Sequence, residues 1–402
     1  PHIDGQDVWV DGELHRSSRE LRQEVLDGSK EGRYVVLCNR FVLREGIDAP
    51  WLSHGIFATV FGSLQSYLQS GGRLLRAYPD TDHVTIQDHG GCLDESTEVL
   101  TARGWVGPDT ITDDDMVAAF DRWNGSIVWK PIQHRHDRIL EPGEKMFEAI
   151  GRQCDIRVTG NHKIVFNKRT STADNLPVWP DNFDLGRADD IADSTVRFKI
   201  PISGVQKAPG LRLSDDEIRF IGWFVTDGTM DRRRSVSITQ ANHQPQIEDL
   251  RACLVGCGFD FRVYPRQPKF FAGSKPQTQF IIPKGTCKSR PRRGWKRLDI
   301  FLNKDLALCM ECMDQRQFGI FLHAVHLGDG AKDRLPGSYR ISTGNKVFAD
   351  RLQSLAVRRG WKCNIHTDGG MRLNPLYVLN LQMASTLTLH GSHGADGQTR
   401  LE

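Results

Sequence analysis

Short runs of apolar and β-branched residues, separated by turn residues, fill the stretch from residue 92 to residue 204. Such runs at regular spacing are typical of an all-β unit, because each run supplies one short strand and each turn reverses the chain. Strands are therefore predicted at Thr97–Thr101, Met116–Phe120, Ser126–Trp129 and Asp155–Val158.

A different pattern begins near residue 205 and occurs twice. The segments Phe220–Gly228 and Leu322–Gly330 both end in Asp-Gly, and the distance from that aspartate to the glycine that ends the next predicted helix is 31 residues in each copy. Further strand patterns follow each copy in the same order. We therefore predict two α+β repeats, each a helix-strand-strand-helix-strand-strand unit.

The first 91 residues have an α/β pattern. The β-branched run Arg33–Asn39 predicts a buried parallel strand. A helix-like stretch further on carries Gln69, Arg73 and Arg76, and two arginines three apart share one helix face.

Length and composition limit the possible classes of protein. A chain of 402 residues is long enough for two or three domains. No apolar run reaches the roughly 18–20 residues of a membrane span, and no signal-peptide pattern opens the sequence. Nine cysteines without a small-domain disulfide spacing favour a reducing cytoplasm. The pair Cys309 and Cys312 has a redox-like or zinc-like spacing, but the simpler interpretation is two cysteines on a helix flank.

The net charge of +3 conceals an asymmetry. Residues 205–382 hold 29 Lys and Arg against 16 Asp and Glu, so that this stretch carries +13 and the rest of the chain −10. A basic segment within an acidic chain suggests a polyanionic partner for that segment alone.

Cys92 follows Gly90-Gly91 and opens a segment that resembles the first block of inteins, and Thr159 with His162 resembles their second block, Thr-x-x-His. A thiol is the best nucleophile among the side chains, and a small residue before it leaves the carbonyl accessible. Histidine can protonate the departing amide nitrogen, and threonine or a backbone N–H can support the carbonyl. The resemblance implies a Hint-type splicing domain in which Cys92 takes the Gly91 acyl group as a thioester.

The end of the chain departs from the intein pattern, because His390 and His393 are followed by glycine rather than asparagine. We expect truncation, with degeneration as the alternative; the start at Pro1 also suggests a fragment. The implied partners are a C-terminal intein segment and a C-extein, with residues 391–402 as a linker toward them.

The Asp-Gly segments resemble the motif that names the LAGLIDADG homing endonucleases. Small residues four apart (Gly222 and Thr226; Ala324 and Gly328) would let the two motif helices approach closely, and each glycine is expected as a left-handed C-cap. Asp227 and Asp329 would then meet beside free helix carbonyls as a hard-oxygen site for Mg²⁺. The resemblance implies cleavage of a long, asymmetric double-stranded DNA site by a monomeric domain.

Basic residues between the motifs complete this prediction. Lys296 resembles the family's basic block, although Asp299 stands where that block has proline. The residues predicted to contact DNA phosphates are Arg232, Arg233, Arg234, Lys288, Arg290, Arg292, Arg293 and Arg297.

Gln69, Arg73 and Arg76 match the pattern Gln-x-x-Gly-Arg-x-x-Arg and resemble the last motif of superfamily 2 helicases of the DEAD/DEAH type. Such arginines stabilise the charge on a nucleotide γ-phosphate. The complete host would use ATP, but the Gly-x-x-x-x-Gly-Lys loop is missing from the sequence, so this chain is expected neither to bind ATP well nor to hydrolyse it.

Together these patterns predict a multidomain chain: a partial RecA-like domain (1–91), the N-terminal part of a Hint domain (92–204), a LAGLIDADG endonuclease (205–390) and a linker (391–402). A cytoplasmic, prokaryotic or phage-encoded protein is expected. Two alternatives stay open: an intact helicase with an accessory, non-cleaving DNA-binding insert, and a pure DNA-binding module with inactive aspartates.

Overall fold

The computed structural model describes residues 1–3, 6–39, 50–57, 85–88, 92–133, 135, 137, 139–140, 144–151, 154–171, 177–192, 197–232, 234–266, 276–285, 294–331, 337–368, 375–393 and 399–401. The chain is a mixed α/β protein with several antiparallel sheets. It divides into two compact units, Pro1–Gly91 and Cys92–Glu402.

The first unit contains a four-stranded sheet, a helix and a separate strand pair. The sheet has the order β3-β2-β1-β4, and β5 pairs in parallel with β6. Val8 and Val25 contribute to a small core between the sheet and α1. The elements are β1 (His2–Ile3), β2 (Asp7–Val10), β3 (Glu13–Arg16), α1 (Arg19–Lys30), β4 (Cys38–Asn39), β5 (His54–Phe57) and β6 (Thr85–Asp88).

The buried strand predicted at Arg33–Asn39 is wrong for most of its length. Only Cys38 and Asn39 are in a strand, and Val35 and Val36 are 91% and 66% exposed. The physical reason is that β4 lies at the edge of its sheet, where nothing in the described part of the unit covers the residues that lead into it.

Two sheets make up most of the stretch 92–204, and all four predicted strands lie within them, with ends shifted by up to two residues. One sheet has the order β10-β9-β7-β8. Phe147, Val158 and Phe198 form the core of the other. The elements are β7 (Val99–Thr101), β8 (Gly104–Val106), β9 (Met116–Phe120), β10 (Ile127–Pro131), β11 (Met146–Gly151), β12 (Cys154–Thr159), β13 (Lys163–Lys168), β14 (Thr170–Ser171), β15 (Pro177–Val178), β16 (Asp184–Arg187), the short helix α2 (Ala188–Ala192) and β17 (Arg197–Pro201).

The segment expected to be a linker supplies strands to this second sheet. Strands Thr386–His393 and Thr399–Leu401, the last two of the chain (β26 and β27), lie in a seven-stranded sheet of order β12-β11-β27-β26-β17-β13-β16. Leu387 and Leu389 alternate with threonines and pack against the core of that sheet. This alternation has the period of a strand. The prediction of a linker at 391–402 is therefore wrong for residues 391–393 and 399–401, which lie in strands.

Two copies of one unit occupy most of the remainder, as the repeat predicts. The first consists of α3 (Asp215–Asp227), β18 (Gly228–Met230), β19 (Val236–Ala241), α4 (Gln244–Gly256), β20 (Arg262–Arg266) and β21 (Gln277–Ile282). The second consists of α5 (Gln315–Asp329), β22 (Gly330–Ala331), β23 (Ser338–Thr343), α6 (Lys346–Val357), β24 (Lys362–Asp368) and β25 (Leu376–Gln382). The sheets have matching orders, β18-β19-β21-β20 and β22-β23-β25-β24.

Both motif helices begin with a capping box, at Ser214 for α3 and at Asp314 for α5. A shared core that includes Trp223 and Phe321 packs the two repeats together. Within the described residues, no helix combines the length and the apolar character needed to cross a membrane.

Candidate active site at the ends of the paired helices

Helices α3 and α5 approach each other through their small residues, as predicted. A Cβ atom added to Gly222 would lie 2.6 Å from the Cβ of Ala324 and 2.9 Å from the carbonyl oxygen of Phe321. A Cβ atom added to Gly328 would lie 2.2 Å from the hydroxyl of Thr226. Glycine is therefore required at both positions, because any larger side chain would separate the helices.

The glycines after the two aspartates have a different role from the one predicted. Gly228 has φ −76° and Gly330 has φ −84°, so neither is a left-handed C-cap. The chain continues directly into β18 and β22, which needs an extended conformation. Glycine is needed for space instead, since a Cβ at Gly228 would lie 2.6 Å from backbone atoms of Phe224, and one at Gly330 would lie 2.1 Å from the ring of His326.

This packing brings the carboxylate of Asp227 to the end of the opposite helix. An added Cβ at Gly328, the residue before Asp329, would lie 2.7 Å from Oδ2 of Asp227. The same oxygen accepts a hydrogen bond of 2.6 Å from Nε2 of Gln240, a buried residue of β19. Gln240 therefore fixes the orientation of the Asp227 carboxylate.

Loss of solvent raises the pKa of both carboxylates, and repulsion by Asp329 adds to the shift of Asp227. Burial, and then the charge of Asp329, raises the pKa of Asp227 to about 6. Burial also raises the pKa of Asp329, and Lys304 opposes that shift. Two like charges at adjoining helix ends are unfavourable without a counter-charge. Lys304 supplies one such charge, and a cation bound beside both carboxylates would reduce their repulsion further.

The basic residue at the site is Lys304 rather than Lys296. The amine of Lys304 donates to the carbonyl oxygens of Phe224, Val225 and Thr226, at 2.9, 3.2 and 2.7 Å, and burial lowers its pKa while both aspartates raise it. Lys296 lies in a 3₁₀ helix, Trp295–Leu298, in which Trp295 and Leu298 are buried and Lys296 itself is exposed. The catalytic role predicted for Lys296 stays a prediction, and Lys304 is the lysine that the structure shows at the end of α3.

The donor set at these helix ends fits a hard divalent cation. In the part of the chain that the structure describes, no group of three or more His, Cys, Asp or Glu side chains could hold a metal ion. Two carboxylates beside helix-terminal carbonyls suit Mg²⁺, which retains several waters and binds through one or two carboxylates together with substrate phosphates. Zinc would need more nitrogen or sulfur ligands than this site offers.

Two of the arginines predicted to contact DNA have partners within the protein. Arg234 pairs with Asp299 at 3.1 Å, and Arg297 pairs with the carboxylate of Glu217, which is only 2% exposed. Arg232 is exposed. The remaining predicted contacts, Arg233, Lys288, Arg290, Arg292 and Arg293, lie outside the described residues, as do Gln69, Arg73 and Arg76 of the first unit.

A second site forms around Cys92. The backbone N–H of Cys92, which is the nitrogen of the Gly91–Cys92 peptide bond, donates to Oγ1 of Thr159 at 2.8 Å, and Thr159 N–H donates to the Cys92 carbonyl at 3.0 Å. The Thr159 side chain is fully buried, and its hydroxyl lies 2.7 Å from Oδ1 of Asn161. Thr159 therefore contacts the nitrogen of this bond.

His162 follows Thr159 in a tight turn. Its N–H donates to the Thr159 carbonyl at 2.9 Å, and its carbonyl accepts the Ala188 N–H at 2.9 Å. The turn is held from outside by Asp189, whose N–H donates to the Gly160 carbonyl at 3.0 Å. The residues predicted for acyl transfer, Cys92, Thr159 and His162, thus lie on adjoining segments.

The chain has measurable similarity to several known proteins, in sequence to one and in structure to others. No family model matches the chain. A stretch of 141 residues is 30% identical to an ATP-dependent Clp protease proteolytic subunit of Chlamydomonas moewusii and covers 35% of this chain and 13% of that protein. The chain thus spans a small fraction of that relative.

Similar solved structures include two homing endonucleases. The crystal structure of I-DmoI in complex with DNA and Mn has a TM-score of 0.29 and 14% identity over 42% of this chain and 90% of that one. I-WcaI bound to its DNA recognition sequence has a TM-score of 0.27 and 13% identity over 42% and 77%. Full-length DUF199/WhiA from Thermatoga maritima has a TM-score of 0.29 and 12% identity over 41% and 51%.

Two site residues are missing from the sequence-based prediction. Gln240 carries a signal, because it shares the buried face of β19 with Val236 and Ile238, where a polar side chain needs a partner. Lys304 carries none, since nothing in its immediate sequence distinguishes it from neighbouring lysines.

Proposed function

We propose that residues 205–382 form a metal-dependent, site-specific DNA endonuclease of the LAGLIDADG type. The observation that carries the proposal is the pair of aspartates at the adjoining ends of α3 and α5, of which Asp227 is half-buried and Asp329 exposed. Two carboxylates with raised pKa values lower the stability of the folded chain at neutral pH. Their placement therefore favours a catalytic role. Two equivalent repeats, each with one carboxylate, suit the two strands of a DNA duplex.

Asp227 and Asp329 would hold Mg²⁺, which lowers the pKa of bound water and stabilises charge on the leaving 3′-oxygen of a phosphodiester. Two further side chains, Gln240 and Lys304, hold the site in position. Gln240 orients the Asp227 carboxylate. Lys304 donates hydrogen bonds to the last carbonyls of α3 and places a positive charge beside both aspartates.

The charge of this stretch supports a DNA partner. Its excess of 13 basic residues contrasts with an excess of 10 acidic residues in the rest of the chain, and phosphate contacts supply most of the non-specific affinity for DNA. The exposed strand β20 adds Arg262 and Arg266 to one sheet.

The test is a search for cleavage in a supercoiled plasmid library that carries random genomic inserts. With MgCl₂, the chain should linearise a small subset of plasmids, and sequencing of the new ends should give one long site. With EDTA the library should stay supercoiled. Tight retention of one plasmid without cleavage would favour the alternative of a DNA-binding module with inactive aspartates.

A second function is favoured by the contact between Cys92 and Thr159. We propose that Cys92 Sγ attacks the Gly91 carbonyl carbon, so that a carbon–sulfur bond replaces the carbon–nitrogen bond and the freed nitrogen takes a proton. Thr159 Oγ1 would hold that nitrogen, and His162 would supply the proton. This is the first step of protein splicing.

Thiol-induced cleavage tests the second function. Incubation of the purified chain with excess dithiothreitol should release residues 1–91, observed by mass spectrometry. Cys92→Ala should abolish the release. Thr159→Val keeps the shape of the side chain and should slow it by roughly 10- to 100-fold, as expected for a lost positioning contact.

We propose that residues 1–91 belong to a helicase host domain. The parallel pairing of β1 with β4 and of β5 with β6 supports an α/β domain, and the Gln69, Arg73 and Arg76 pattern supports a helicase host that uses ATP. An ATPase assay of the complete host protein, with Arg76→Ala as the variant, tests this part.

A further inference from the structure

Cys309 and Cys312 lie on a 3₁₀ helix, Leu308–Cys312. In a 3₁₀ helix, side chains three residues apart are eclipsed, and a rise of about 2.0 Å per residue separates their Cα atoms by about 6 Å. Disulfides form between Cα atoms roughly 4.4–6.8 Å apart. The backbone therefore presents these two thiols on one face and within bridging distance.

The two thiols have unequal environments. Cys312 is exposed, whereas Cys309 is half-buried and its thiol lies 3.7 Å from the carbonyl oxygen of Ile300. Burial, with a smaller contribution from the charge of Cys312, raises the pKa of Cys309. Cys312 is therefore the accessible sulfur of the pair. The raised pKa of Cys309 favours its protonated thiol.

A buried cation stands beside Cys312. The guanidinium of Arg359, which is fully buried, donates to the carbonyl oxygens of Glu311 and Met313 at 2.5 Å each, the two residues that flank Cys312. The nearby carboxylates have other partners: Glu311 pairs with Arg358, and Asp314 accepts the N–H of Gln317 at 2.8 Å. Arg359 therefore places a buried positive charge beside the exposed Cys312.

We propose that Cys309 and Cys312 form a reversible redox site for a low-molecular-weight disulfide such as oxidised glutathione. The Cys312 thiolate attacks one sulfur of oxidised glutathione, forms a mixed disulfide and releases one glutathione thiolate. Cys309 then loses its proton to solvent and attacks the Cys312 sulfur, releasing the second glutathione. The two protein thiols are oxidised, and one glutathione disulfide is reduced to two thiols.

Closure of this bridge acts on the turn that leads into α5. The 3₁₀ helix is followed by Met313 and by Asp314, the N-cap of the helix that ends at Asp329. A covalent link across the turn restricts the backbone whose carbonyl oxygens accept hydrogen bonds from Arg359. The oxidised site thus reinforces the start of a helix on which the proposed endonuclease depends, while the redox reaction itself is independent of that function.

The experiment is equilibration of the whole chain in glutathione redox buffers, followed by acid quench, alkylation and peptide mass spectrometry. As the buffer becomes oxidising, the peptide with Cys309 and Cys312 should lose both alkyl labels together and regain them on reduction. Cys309→Ser should leave Cys312 as a mixed disulfide with glutathione, and Cys312→Ser should leave Cys309 alkylated.

Cys253 and Cys257 are the matched internal control, because they lie four residues apart on or next to α4 and both are buried. They should stay unmodified in the folded chain across the same buffers. If Cys309 and Cys312 are alkylated in every buffer, or if Cys312→Ser reacts with glutathione at Cys309 as fast as the parent does at Cys312, the proposed site does not exist.

Discussion

The amine of Lys304 lies 2.7 Å from the carbonyl oxygen of Thr226, the last peptide group before Asp227. With its bonds to two further carbonyls, this amine caps the end of α3, where the helix dipole places partial negative charge. It also contributes a positive charge to both aspartates. One lysine thus stabilises the helix end and lowers the electrostatic cost of pairing two carboxylates there.

Removing this amine should harm both stability and cleavage. Lys304→Met removes the amine that donates to three carbonyls, of which that of Phe224 keeps the Gly228 N–H, so we expect a loss of about 1–3 kcal/mol in the free energy of unfolding and a fall in the DNA cleavage rate of at least tenfold. Urea unfolding and single-turnover cleavage measure the two effects. Lys296→Met is the matched control and should change stability by less than about 0.5 kcal/mol; equal effects of the two variants would contradict the assignment.

The close approach of the helices gives a prediction with opposite signs at two glycines. Gly222→Ala places a methyl group against Ala324, so that the helices must separate, at a cost of about 1–3 kcal/mol. Gly319 lies in α5 with nothing within 4 Å of an added Cβ. Gly319→Ala should stabilise the chain by about 0.5–1 kcal/mol, because alanine favours a helix. Thermal unfolding of both variants decides whether the helices meet at Gly222.

Stability in metal-free buffer should fall as the pH rises from about 4 to 6. The pKa of Asp227 is about 6 in the folded chain and about 3.9 when unfolded, so the folded state binds the proton more tightly. The stabilisation from that proton is complete below pH ~4 and is lost as the pH rises through the folded pKa.

Asp227→Asn removes this dependence. The variant should be more stable than the parent by up to about 3 kcal/mol at pH 7.5, and the difference should vanish near pH 4, as measured by urea unfolding at both pH values. Asp368→Asn, at the exposed end of β24, is the control and should show no such trend. A difference for Asp227→Asn that does not vary with pH would mean that the carboxylate is solvated in the folded chain.

Salt dependence should separate the arginines that contact DNA from those that support the fold. If Arg290, Arg292 and Arg293 contact phosphates, their replacement by alanine should reduce the slope of log K against log salt by about two to three. Arg297→Ala should instead cost roughly 1–3 kcal/mol of stability, because it leaves the buried Glu217 without its cation. Fluorescence anisotropy with labelled DNA gives the slopes, and an unchanged slope for the triple variant would contradict a contact between these three arginines and DNA.

Repeats and spacing predict much of this fold, because they depend on local periodicity. The two Asp-Gly segments, the order of the strands after each and the close packing at Gly222 all follow from residue types at fixed intervals. The strands at the end of the chain do not, since Leu387 and Leu389 identify a strand only once a distant sheet is available to cover them.

The site is predictable only in part for the same reason. Asp227 and Asp329 are fixed by the motif, but Lys304 reaches α3 across about 80 residues of sequence (the separation to Val225 is 79). Such a contact depends on how the 3₁₀ turns between the repeats fold, and buried Trp295 and Leu298 direct Lys296 outward instead. Long-range contacts of single polar side chains leave no periodic pattern to read.

The most direct test of the central claim compares cleavage and binding in the parent chain, Asp227→Asn and Asp329→Asn, on a plasmid recovered from the library described above. The paired-aspartate site predicts that each variant loses Mg²⁺-dependent double-strand cleavage by at least a thousandfold while its affinity for the same DNA in Ca²⁺ changes by less than tenfold. Cleavage of both strands at the parental rate by either variant would contradict the account.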